Sequence, residues 1–123
     1  MQRLYMELQL MTYLMYLRIM PNLKGYTYLK EAALRLCEDE KLKFHMSNTL
    51  YKELADRFGE KVSLFDRALR HAVEVSYRRD GIQQFEKKLK IDFSERKPSA
   101  KEIICVLAEK IKMDAYEKFG VPA

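Results

Sequence analysis

A chain of 123 residues is about one domain, long enough to bury its own core. At 33% charged and 48% hydrophobic residues it is not a disordered segment, and a formal charge of +5 with a pI near 9.2 favours a polyanionic partner. Glycine and proline are scarce and no β-branched alternating run appears, so the class expected is all-α, a compact bundle of about six helices containing a helix-turn-helix. The opening stretch Met1–Met20 is rich in Leu, Met and Tyr, but Arg3, Glu7, Gln9, Thr12 and Arg18 interrupt it. A membrane span wants about 20 mostly apolar residues, so no membrane is expected, and no signal peptide is visible. Leu4, Leu8, Met11 and Met15 instead make a wide amphipathic stripe, read as core. It is broad enough to lend part of Met1–Met20 to a homodimer contact. Pro21 is expected to end this helix, because the residue before proline avoids the helical region.

A second helix is expected from about Tyr26 to Glu38, with Tyr28, Leu29, Ala32, Ala33, Leu36 and Cys37 inward, then a polar connector from Asp39 to Ser47. The stretch Asn48–Arg79 reads as the helix-turn-helix. Its first helix, Asn48–Phe58, places Leu50, Leu54 and Phe58 four apart. Gly59 then turns the chain, since a left-handed cap costs glycine least. Ser63, three residues before Asp66, has the spacing of an N-cap with an acidic partner. Along Val62–Arg79, Phe65, Ala68, Leu69, Ala72, Val73, Val75 and Ser76 share one side. The other side carries Ser63, Asp66, Arg67, Arg70, His71, Glu74, Tyr77 and Arg78. A helix with three arginines and a histidine on its exposed face suits a DNA major groove. The same arrangement also occurs as a plain structural corner with a solvated face. Beyond it, Asp80-Gly81 signals a turn and Ile82–Leu89 a short helix. Ser99 with Glu102 forms a capping box for a last helix bearing Ile103, Ile104, Leu107, Ala108 and Ile111.

Catalytic and metal chemistry find no foothold. Cys37 and Cys105 sit on apolar faces as reduced thiols, and His45 and His71 lack ligand spacing. There is no glycine-rich phosphate loop, G-x-S-x-G or H-E-x-x-H. The expectation is no enzyme, no cofactor, no metal and no small-molecule substrate.

Ser63-Leu64-Phe65-Asp66-Arg67-Ala68-Leu69-Arg70-His71-Ala72-Val73-Glu74 resembles S-R-V-E-R-A-I-R-H-A-I-E, the recognition-helix signature of the DNA-binding effector domain of stage-zero sporulation protein A, a response regulator of endospore-forming bacteria. Upstream, Leu17-x-Ile19-x-Pro21-x-x-Lys24-Gly25-Tyr26-x-Tyr28-Leu29-x-Glu31-Ala32 is similar to that family's L-G-I-P-P-H-I-K-G-Y-x-Y-L-R-E-A. Downstream, Lys97-Pro98-Ser99 with Glu102-Ile103 is similar to its K-P-T-N-S-E-F. The likeness runs from about Tyr13 to Met113. It implies a six-helix domain reading a TGTCGAA-type box, often in head-to-tail copies. It also implies base contacts by Arg67 and Arg70, since arginine pairs bidentately with guanine. Asp66, one methylene shorter than the family's glutamate, is left between base readout and service at the N-cap. Phosphate contacts are expected of Ser63, His71, Arg78, Lys97 and Ser99, the two serines offering hydroxyls and backbone N–H groups at helix starts. Leu64 stands where the family has arginine.

The reading is a single effector-type domain over residues 1–123 with no receiver domain. It would be a sequence-specific double-stranded DNA binder and transcription regulator, cytoplasmic and nucleoid-associated, acting as a homodimer or on tandem sites. The alternative is a protein-interaction module that keeps the fold and modulates the full-length regulator or another partner.

Overall fold

A computed structural model describes residues 2–120. Over that range the chain forms six α-helices and no strand, the all-α bundle that composition and periodicity predict. They are α1 (Gln2–Tyr16), α2 (Lys24–Glu38), α3 (Tyr51–Arg57), α4 (Val62–Arg78), α5 (Gly81–Leu89) and α6 (Ala100–Phe119). A 3-10 turn (Glu40–Phe44) and a wide π turn (Met46–Leu50) lie between α2 and α3.

The hub is α2, which packs on α1, α3, α4 and α6. It can do so because Tyr26, Tyr28, Leu29, Ala32, Ala33, Leu34 and Leu36 spread burial around most of its circumference. Gly25 in its first turn lets α4 come close. A Cβ there would sit 2.5 Å from the Ala72 Cβ and 2.6 Å from the Ala68 carbonyl oxygen. Gly81 serves the same purpose at the other end of α4, where a Cβ would lie 1.9 Å from the Leu17 carbonyl oxygen.

Three expectations need correction. The first helix stops at Tyr16, well before Pro21. Arg18 takes a left-handed conformation (φ 58°), with Arg18 N–H donating to the Met15 carbonyl and Ile19 N–H to that of Leu14. This Schellman turn buries Ile19 completely, and Arg18 Nη1 donates to the Arg79 carbonyl at 2.5 Å, offsetting the strain of a non-glycine residue there. The phase of the first helix also differs from the sequence reading. Met6, Leu10, Tyr13, Leu14 and Leu17 are buried, while Leu4, Leu8, Met11 and Met15 face solvent. Both faces are apolar, so periodicity alone cannot say which one goes inward.

The first helix of the pair begins at Tyr51 rather than Asn48, and the polar connector Asp39–Ser47 before it carries a 3-10 turn. The Asp39 carboxylate accepts from Lys41 N–H at 3.2 Å, and Leu42 and Met46 drop into the core. The first helix of the pair therefore enters through the π turn, its Leu50 N–H reaching back to the His45 carbonyl.

Candidate nucleic-acid interface

The turn between α3 and α4 is set by Gly59 at φ 64°. Gly59 N–H donates to the Asp56 carbonyl and Glu60 N–H to that of Ala55, closing α3 with the left-handed cap that glycine favours. Glu60 is then held from α2, accepting from the Tyr28 hydroxyl at 3.1 Å and from Lys24 Nζ at 3.3 Å. Below the turn, Phe65 of α4 stacks on Tyr28 at 4.4 Å between centroids and meets Tyr51 edge-on at 5.4 Å. Arg35 of α2 grips Glu53 of α3 with two hydrogen bonds, 2.6 and 3.2 Å. These contacts fix the angle at which α4 is presented.

Helix α4 buries Phe65, Leu69, Ala72, Val73 and Ser76 and turns the opposite side outward. On that side the sequence-derived candidates divide into groups. Arg67 and His71 are exposed, one turn apart, and make no ion pair among the described residues. Arg70 is exposed but engaged, its Nε 3.2 Å from Asp66 Oδ2. Farther along, Glu74 holds two cations at once: Arg78 Nε donates to Oε1 at 3.2 Å and Lys97 Nζ to Oε2 at 2.6 Å. The Lys97 hydrogen bond leads in keeping the Glu74 carboxyl below its usual range. Lys97 also lies 5.9 Å from the Tyr77 ring centre, so the loop before α6 is drawn onto the C-terminal half of α4.

The two serines differ from each other. Lys61, not Ser63, is the N-cap of α4, and no side chain caps that end. Ser63 lies inside the first turn, and Asp66 has no N-cap service to perform; it pairs with Arg70 instead. The helix starts two residues early because Val62 and Ser63 already take helical angles behind the extended Lys61. Ser99 does cap α6 as expected. Its hydroxyl accepts from Glu102 N–H at 3.2 Å, and its own N–H donates to Glu102 Oε1 at 3.0 Å. That N–H is spent within the protein. Arg96 clamps the same Glu102 carboxylate at 2.8 and 2.6 Å, and chiefly for that reason its pKa falls to about 2.

Lys24, Gly25, Glu60, Leu64, Arg67, Ala68 and His71 line a shallow hollow of about 310 Å³ between the start of α2 and α4. Leu64 is 39% exposed there, so it stands on the outward side beside Arg67. Lys24 escapes a reading centred on α4, because its proximity follows from the α2–α4 crossing. A basic residue next to the Gly25 crossing was the only available signal.

The model of the sporulation initiation factor Spo0A C-terminal family matches residues 10–111. The chain belongs to this family. Within the Spo0A C-terminal match lie all of α2–α5, the C-terminal part of α1 and α6 as far as Ile111, so every candidate interface residue falls inside it. No helix among the described residues is long and apolar enough to cross a membrane.

Proposed function

We propose that the chain binds double-stranded DNA in a sequence-specific way through α4 and regulates transcription in the context of sporulation, working in the cytoplasm at the nucleoid. The observation that carries this reading is the pair Arg67 and His71, exposed side by side without an acidic partner on the second helix of a helix-turn-helix. Membership in the sporulation initiation factor family supports it. Arg67 is the leading base contact, because its guanidinium is free to take guanine O6 and N7. Arg70 follows once it leaves Asp66, and Asp66 then serves as a partner that orients Arg70 or meets a base amine. Ser63, His71, Arg78, Lys97 and Ser99 line the approach to the phosphates. Copies bound to tandem boxes are compatible with a monomeric reading head.

The test is a gel-shift titration of the full chain against a TGTCGAA-type duplex and a scrambled duplex at two salt concentrations. Arg67→Ala should cost about 1–3 kcal/mol on the preferred duplex and little on the scrambled one. Equal losses on both would reassign Arg67 to phosphate contact, and no binding to either duplex would defeat the DNA reading. The second reading, a protein-interaction module, draws on Leu64, an apolar side chain exposed in the hollow beside Arg67.

A further inference from the structure

The outward face of α1 is unlike any other helix face in the molecule. Leu4 is 57% exposed, Leu8 51%, Met11 44% and Met15 65%, and no charged side chain stands between them. The outward faces of α4 and α6 carry Arg67, Arg70, Lys101, Glu109 and Glu117 instead. Glu7 and Thr12 border the stripe, and other polar groups at its margins are tied to neighbouring helices. Arg3 reaches Glu31 and Glu38 of α2 at 3.5 and 3.4 Å. Gln9 and Tyr13 both donate to Asp114 of α6, and Tyr5 meets Phe119 edge-on at 5.5 Å. What remains is an exposed apolar stripe.

We infer that this stripe is the contact face for a second copy of the same chain, the two α1 helices packing antiparallel about a two-fold axis between Leu8 and Met11. Steps of four, three and four residues are the spacing of two successive heptads of a coiled-coil seam. That spacing also reads the same in both directions. A second copy reversed end to end therefore sets Leu4 against Met15 and Leu8 against Met11, so that every layer pairs one leucine with one methionine. A parallel pairing would instead set leucine on leucine and methionine on methionine, with the helix dipoles side by side and aligned unfavourably. A self-complementary patch is what a two-fold contact requires, and it singles out another copy of this chain over an unrelated partner. Each of the four side chains leaves about half its surface to water. Covering them from both copies, with Tyr5 and Thr12 alongside, removes on the order of 1,000 Å² in total, near the lower limit for specific association. The dimer is thus weak and reversible. It leaves α4 untouched, because α1 packs on α2, α5 and α6, and it does not depend on the DNA reading.

Sedimentation velocity of the full chain over a concentration series tests the contact. The expected result is a mass that rises with concentration from 14.7 kDa towards twice that value. Leu8→Glu should hold it at one chain mass at every concentration, with an unchanged circular dichroism spectrum because Leu8 is not a core residue. A wild-type chain that stays monomeric at several hundred micromolar would overturn the inference, as would a folded Leu8→Glu chain that associates equally well. Register is read by oxidative cross-linking. A mixture of Leu8→Cys and Met11→Cys chains should cross-link to one another faster than either alone, with the unsubstituted chain correcting for Cys37 and Cys105. Efficient cross-linking of each variant with itself would mean a parallel pair and overturn the proposed geometry.

Discussion

Glu74 governs how much of the positive charge around α4 is offered to a ligand. Its two oxygens hold Arg78 and Lys97, and Asp66 likewise occupies Arg70, so three of the basic candidates are already engaged. Exposed pairs of this kind add little to stability, so their effect falls on binding more than on folding. Carboxylates at these positions lower affinity for any polyanion. They leave preference to the side chains that gain most from leaving their partners. Glu74→Gln should therefore tighten binding to scrambled duplex and steepen the salt dependence, by up to about 0.9 for each of the two cations released. The ratio of specific to non-specific affinity should fall. Unchanged affinity and slope on both duplexes would mean that Arg78 and Lys97 lie outside the contact.

At the scale of elements, the crossing of α2 over α4 fixes where the exposed arginines point. Gly25→Ala would gain up to about 1 kcal/mol of helix propensity, but its Cβ falls 2.5 Å from the Ala72 Cβ and 2.6 Å from a backbone oxygen. Overpacking of that kind costs about 1–3 kcal/mol, so the net change should be destabilising and α4 should shift. Urea denaturation and the gel shift read the two consequences; a variant as stable and as active as wild type would show that the helices separate freely. The glycine was legible only as part of a motif. Its reason, a backbone-to-backbone approach between distant segments, is a property of the crossing and not of the local sequence. The same limit explains the other discrepancies. Capping at Ser99 was legible because the box Ser99–Glu102 is local, whereas Ser63 had the same spacing without being the cap, since Lys61 in extended geometry opens the helix first. The sidedness of α4 was plain because one face is charged. That of α1 was not, because both of its faces are apolar. The pairs Arg70–Asp66 and Arg78–Glu74 are four residues apart and so within reach of a local reading, whereas Lys97 reaches Glu74 across 23 positions and is not.

In the whole molecule, charge is used to join helices, and this sets how the fold responds to acid. Asp114, almost fully buried in α6, accepts from Tyr13 and Gln9 of α1 and pairs with Lys110 at 2.9 Å. Burial alone would push its carboxyl up, but the hydrogen bonds from Tyr13, Gln9 and Lys110 outweigh it and hold the carboxyl below the ordinary aspartate value. Glu53, gripped by Arg35, and Glu102, brought to about 2 by Arg96 and Ser99, are displaced in the same direction. A carboxyl whose folded pKa lies below its unfolded one contributes stability that is fully present above the unfolded value. That contribution is lost as pH falls through the folded value. The ordinary values lie near 4, so thermal melts should hold a steady midpoint from about pH 8 to 5 and then fall steadily from about 4.5 towards 2. Asp114→Asn isolates the α1–α6 link. It should lower the midpoint at neutral pH, by the equivalent of about 1–3 kcal/mol for a poorly satisfied buried group, and make the acid fall shallower. Two melting curves that run parallel at every pH would mean that the Asp114 carboxyl titrates alike in the folded and unfolded chain, so that its contacts with Tyr13, Gln9 and Lys110 do not favour the ionised form.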